Sequence, residues 1–238
     1  MITRKSSLSH LGFIIFAFAL ILGVLLCLVR AIPDLEATMY GFIKFGYPGI
    51  SSMSCPPLMT TSDRQTVAIK LKNNLDRPLA WSVTAQFSSP VLIDSVSDRL
   101  ELQPGETRVL SWDVGKENIS MGNFILARVF TSAAMAQGMK ESLCGTFVLN
   151  LPITGGPFIY YAAVFLTALC LGLGLWLWRT HTLLSESHLV ARFTWMRFTG
   201  ILVILGVVSG YMDWWFAALL CVFLILLSTA VYLVPRKI

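Results

Sequence analysis

Two pairs of side chains in this sequence have a type and spacing that could do chemistry: Cys55 with Cys144, and His181 with His188. Histidines seven positions apart return to one face of a helix, and with Glu186 between them they form a candidate ligand set for a metal or pigment. The same stretch also reads as an interfacial amphipathic segment, with Leu183, Leu184, Leu189 and Val190 among lipid headgroups, and its apolar content favours that reading. His10 is the third histidine, and none lies between residues 11 and 180. A copper site of two His and one Cys, a Ser–His–Asp triad in the polar middle of the chain and a haem held mid-membrane therefore all lack their ligands. The sequence also lacks a phosphate loop, a nucleophile elbow, His-Glu-x-x-His and Cys-x-x-Cys. The expectation is a chain that is not an enzyme, with no cofactor and no metal.

The elements that must position these residues are built mostly for lipid. Of 238 residues 55% are hydrophobic and 13% charged, against roughly 25% charged in a soluble domain, and the mean hydropathy is +0.71. A helix needs about 20 apolar residues to cross a hydrocarbon core. Residues 11–29, 158–178 and 214–234 meet that length without a charge. A fourth, shorter run, 198–211, spans only if it reaches back past Arg197, whose head would snorkel to the interface. Arg4 and Lys5 before the first run also suit a secretory signal, but its length and the absence of an A-x-A site make it a signal anchor.

Basic residues in the short flanks set the orientation. Arg4, Lys5, Arg179, Arg192, Arg197, Arg236 and Lys237 share one side with a single acid, Glu186, whereas Asp213 and a charge-balanced middle segment face the other. The net charge of +5 is then a topology signal, and no nucleic acid is needed to explain it. The expected layout begins with a cytoplasmic N-terminus (1–10), transmembrane helix 1 (11–30), an extracytoplasmic linker (31–53) and a β-sandwich (54–152). Transmembrane helix 2 (157–178), a cytoplasmic loop (179–194), transmembrane helices 3 (195–212) and 4 (214–234) and a cytoplasmic tail (235–238) complete it. Such a chain belongs in the plasma membrane, multi-pass, with both termini inside.

The middle segment alternates with period two. Val67, Ile69 and Leu71 share one face of 66–72; Leu79, Trp81, Val83, Ala85 and Phe87 share one of 79–87; Leu110, Trp112 and Val114 share one of 108–114. Further strands are expected at 91–95, 99–103, 123–131 and 142–151, and about seven short strands in roughly 100 residues is a sandwich pattern. Asn118-Ile119-Ser120 has the form of a glycosylation acceptor on a turn. Cys55 and Cys144 fall in this segment, in an oxidising compartment on the expected topology, and are expected to bond. Cys27, Cys170 and Cys221 fall in apolar spans as small packing groups.

The stretch LELQPGETRVLSWDV (100–114), with VAIKLKNNLDRPLAWSV (67–83), resembles bacterial Ig-like domains of the cell-adhesion-related (CARDB) type. Over about 100 residues the resemblance implies an Ig-like antiparallel sandwich inserted between helices 1 and 2, and it implies no particular role. The fold class expected is thus a membrane protein, α + β.

Helix packing motifs are plentiful. Gly206 and Gly210 form GxxxG, and Ala168 with Gly172 and Ala19 with Gly23 repeat the small-xxx-small spacing. Tyr40, Phe42, Phe45 and Tyr47 form an aromatic run beside the first span, open to three readings: a partner surface, a bilayer contact or a seal on the chain's own sandwich. Membrane lipids and other integral membrane subunits are the expected partners. The leading functional expectation is a non-catalytic membrane subunit that packs into and stabilises a larger assembly and docks through its Ig-like domain. A receptor or adhesion module for an external ligand, and a component of a transporter or channel, are the alternatives.

Overall fold

The computed structural model describes residues 2–39, 49–50, 52–90, 93–133, 138–181 and 187–233. The chain divides into two units, Met1–Ala31 with Phe158–Ile238, and Ile32–Pro157.

The first unit is helical. It contains α1 (Ile2–Met39) as far as Ala31, α2 (Gly156–His181) from Phe158, α3 (Ser187–Tyr211) and α4 (Trp215–Leu233). All four helices are long and apolar enough to cross a membrane. Phe16 and Ala19 of α1, Leu171 and Trp178 of α2, Met196 and Val203 of α3 and Ile225 of α4 make the shared core. Threonine hydroxyls within the spans bond their own helices: Thr167 donates to the Ala163 carbonyl (2.8 Å), Thr199 to Trp195 (2.9 Å) and Thr229 to Ile225 (2.7 Å). The expected loop at 179–194 is shorter than the charge pattern suggested, because α2 continues to His181 and α3 begins at Ser187. Leu189 and Phe193 pack on the core and draw that turn of α3 into the bundle.

The second unit is a β structure. Among the described residues, seven strands, β1 (Leu58–Thr60), β2 (Gln65–Lys72), β3 (Leu79–Phe87), β4 (Asp94–Leu102), β5 (Thr107–Val114), β6 (Phe124–Ala133) and β7 (Met139–Leu149), form a five-stranded sheet, β1-β7-β6-β3-β4, and a two-stranded sheet, β2-β5. Val67, Ile69 and Leu71 from the small sheet and Trp81, Val83, Ile125 and Val129 from the large one share a single core, so the period-two faces are the buried faces. Cys55 and Cys144 are bonded, with Cα atoms 6.5 Å apart.

Three expectations about this unit need correction. The sheet is mixed: β1 pairs parallel to β7, Leu58 opposite Phe147. The disulfide ties residue 55 to β7, and Pro56 and Pro57, lacking N–H donors, suit the approach to an edge strand. Second, the two short strands expected at 91–95 and 99–103 are replaced by one, β4, paired with β3 from Asp94 to Leu102. β4 is an edge strand with only Leu100 and Leu102 buried, so its polar half carries no alternation to read.

Third, the stretch expected to be a linker (31–53) begins as helix, since α1 runs on to Met39 with Pro33 inside it. Proline removes a helical hydrogen bond and normally marks a stop, but burial against the sheet offsets that loss. Asp34 Oδ1 accepts the Gly145 N–H (2.8 Å), Thr38 donates to the Asp34 carbonyl (2.8 Å), and fully buried Ala37 packs on Leu126 beside Phe124 and Leu143. Gly145 permits the approach, because a Cβ there would overlap the Pro33 backbone. The sequon is also spoken for. Asn118 is buried, its Oδ1 accepting the Gly115 N–H (3.1 Å).

Asp63 closes the unit at its other end. Its Oδ1 accepts the N–H of Gly155 (2.7 Å), and its Oδ2 accepts those of Gly156, the first residue of α2 (2.8 Å), and Thr60 (2.9 Å). An acid at a helix N-terminus satisfies orphan donors and meets the positive end of the dipole. Burial pushes this carboxyl upward, but the three N–H donors outweigh it and hold the pKa below the ordinary value. A folded-state pKa below the unfolded one adds stability above about pH 4, which is lost as pH falls through the folded value. Asp63→Asn is expected to cost about 1–3 kcal/mol at pH 7. Thermal unfolding of the full chain in detergent should show the gap between variant and wild type narrowing as pH falls below the ordinary carboxylate range, and a pH-independent gap would contradict this role.

Candidate functional site

No cluster of three or more His, Cys, Asp or Glu side chains close enough to hold a metal occurs among the described residues. The polar chemistry of the helical unit sits instead at its two ends, and the register of its helices sets it there. Along α1, Phe16 faces Gly200, Gly23 faces Val203, Cys27 faces Gly206 and Arg30 faces Gly210, so α1 and α3 run parallel. Gly12 of α1 meets Gly174 and Leu177 of α2, which runs antiparallel. A Cβ on Gly206 would lie 2.8 Å from Cys27 Sγ and 3.2 Å from Cys221 Cβ; one on Gly210 would lie 3.2 Å from Arg30 Cβ. The GxxxG pair therefore seats α3 against α1, with α4 adjoining at Gly206.

Arg30, with a side chain 7% exposed, lies at one end of this register. Its Nη2 donates to Asp213 Oδ1 at 2.7 Å and its Nε to the Gly210 carbonyl at 3.2 Å, joining α1 to the turn between α3 and α4. Asp213 adopts a left-handed conformation (φ +57°) in that turn, and its side chain stays 53% exposed. Burial pushes its carboxyl above the ordinary range against the pull of Arg30.

At the opposite end Arg192 is caged by rings. Its guanidinium carbon stands 4.7 Å from the Phe13 ring centre, 5.2 Å from Trp178 and 5.9 Å from Tyr232. Its Nε donates to the Tyr232 hydroxyl at 2.6 Å, and Tyr232 stacks on Trp195 at 4.8 Å. One residue from each of the four helices meets the cation, or meets a ring that does. Cation–π contacts shielded from water reach about 2 kcal/mol each. The geometry holds helices together.

The remaining sequence candidates fall differently. Ala168 and Gly172 share the small-residue spacing, but both face outward, and a Cβ on Gly172 would meet nothing within 4 Å. This chain therefore does not use that pair. The side chains of His181 and His188, and the aromatic run Tyr40, Phe42, Phe45 and Tyr47, lie outside the described residues. Arg30 with Asp213, Gly12 with Gly174 and the Arg192 cage were not singled out as sites from the sequence. Each joins residues remote along the chain, and the single signal was an arginine and an aspartate flanking apolar runs.

No protein-family model matches the sequence, and no curated protein does. Part of the chain superposes on solved glycosidases. A β-glucuronidase of Bacteroides uniformis overlaps at TM-score 0.32 and 13% identity, over 40% of this chain and 13% of that one. A β-glucosidase of Listeria innocua, in complex with gluconolactone, overlaps at TM-score 0.30 and 15% identity, over 42% and 16% respectively. One of Erythrobacter marinus gives TM-score 0.27 and 16% identity, over 37% and 13%. This chain thus spans a small fraction of those enzymes, and overlap at this level bears on neither fold nor catalysis.

Proposed function

We propose that this chain is a non-catalytic integral membrane subunit that packs beside the helices of a larger assembly and docks through an extracytoplasmic Ig-like domain. Its four helices cross the plasma membrane with both termini in the cytoplasm, as the basic flanks favour. The CARDB-like strand pattern and the two sheets over one core support the Ig-like reading.

One observation carries the subunit reading. The bundle seats its helices on buried Gly12, Gly23, Gly174, Gly206 and Gly210, whereas the small pair of α2 with the same four-residue spacing, Ala168 and Gly172, lies on the outer face. Exposed Phe165, Leu169, Leu173 and Trp176 surround it. Small residues against lipid gain nothing, whereas against another helix they let backbones approach. The occupant proposed is a transmembrane helix of a different subunit.

Purification of the tagged full chain in a gentle detergent, followed by native mass spectrometry, tests this. A stoichiometric multi-subunit particle is expected, and Ala168→Leu with Gly172→Leu should release the partner while leaving the chain's own melting temperature unchanged. A lone monomer in the wild-type preparation would overturn the reading, as would a particle indifferent to the double substitution.

A further inference from the structure

The second unit holds a cleft of about 140 Å³ lined by Lys70, Lys72 and Lys140, with Ser52, Asn74 and Trp81 among its other walls. We infer that this cleft binds a small oxyanion, a phosphate or carboxylate group, which nothing in the membrane-subunit reading requires.

Charge is the first reason. Three lysines line the cleft, Lys70 and Lys72 from β2 and Lys140 from β7, and no carboxylate does. Among the described residues none of the three lysines is paired with an acid: Arg30, Arg64, Arg108 and Arg128 supply the cations of the ion pairs there. Lysines without neighbouring acids make the surroundings of the cleft positive, and such a field draws an anion in.

The second reason is a buried donor without an acceptor. Trp81 is 2% exposed and walls the cleft, and its indole N–H has no hydrogen-bond partner among the described residues. A buried indole normally finds one, and an unpaired buried donor is costly. Asn74, exposed on the turn after β2, adds an amide to the lining.

Size is the third. A cavity of about 150 Å³ accommodates a benzene ring, so this one takes an oxyanion head while the rest of any larger molecule stays outside. The wall is built. Ser52 donates its hydroxyl to the Lys70 carbonyl (2.5 Å) and accepts the Lys70 N–H (3.2 Å), pinning the chain there to β2.

The test uses the full chain in detergent, labelled with ¹⁵N at tryptophan, and titrates inorganic phosphate and acetate separately. One indole N–H resonance, assigned by Trp81→Phe, should move saturably with at least one of the two anions and stay still with glycerol. Lys72→Gln with Lys140→Gln should weaken that binding at least about tenfold, with the other tryptophan resonances unmoved. The proposal fails if neither anion shifts the Trp81 resonance at millimolar concentration. It also fails if the double variant binds as tightly as wild type. Loss of the multi-subunit particle would leave this result untouched, so the two proposals stand or fall separately.

Discussion

Replacing Glu141 with leucine is expected to destabilise the second unit by about 3–5 kcal/mol, whereas replacing Arg128 as well should restore most of that loss. Glu141 is 0% exposed and Arg128 14% at the side chain, with Nε to Oε1 at 2.9 Å. The two sit diagonally across the β6–β7 pair, since Arg128 is opposite Leu143. They lie on the large sheet's other face, away from the core formed by Ile125, Ala127 and Cys144. Removing only the acid leaves a guanidinium with little access to water. Removing both exchanges an ion pair for apolar contacts, a change that ranges from neutral to stabilising in buried settings. Urea unfolding of the full chain in detergent, followed by hydrogen exchange at β6 and β7, measures both variants. A single variant as stable as wild type would refute the pair's importance, and a double variant as unstable as the single would refute its mechanism.

How much of this was legible in the residues depends on how local the cause is. The four spans show in composition because lipid demands long apolar runs whatever the rest of the chain does. The inner strand faces show for the same kind of reason: Val67, Ile69 and Leu71 alternate because one side of β2 is core. The helical tail of α1 is different. Pro33 announces a stop, and what overrides it includes the bond from Asp34 to the N–H of Gly145, 111 residues from Asp34. Gly206 and Gly210 do seat helices, whereas Ala168 and Gly172 have the same spacing and face outward. The spacing says that a close approach is permitted and says nothing about which neighbour makes it. Arg30 follows the first apolar run as a lone charge, and it is one half of a pair whose other half lies 183 residues on. Long-range pairs of this sort leave no periodicity for a sequence to display.

Loss of the Cys55–Cys144 bond carries an effect of similar size through a different physical route. The bond joins residues 89 apart, and closing a loop of that length is worth about 4 kcal/mol in the chain-entropy account. Cys55→Ala with Cys144→Ala should therefore lower stability by about that amount, and reduction of the wild type should do nearly the same, because the missing term lies in the unfolded chain and not in a contact. Within the folded state the consequence is local. β1 has three residues on a sheet edge, held by its pairing with β7, by the Asp63 contact at Thr60 and by the disulfide just ahead of it. Hydrogen exchange at Leu58–Thr60 should rise first on reduction, before β3 and β6 lose protection. Equal exchange at β1 with and without reductant would mean that strand pairing alone suffices. The same pair of thiols also tests the topology. A bond that persists when cells are quenched with an alkylating agent belongs to an oxidising compartment, whereas Cys55 and Cys144 recovered as alkylated thiols would move the whole second unit to the cytoplasmic side.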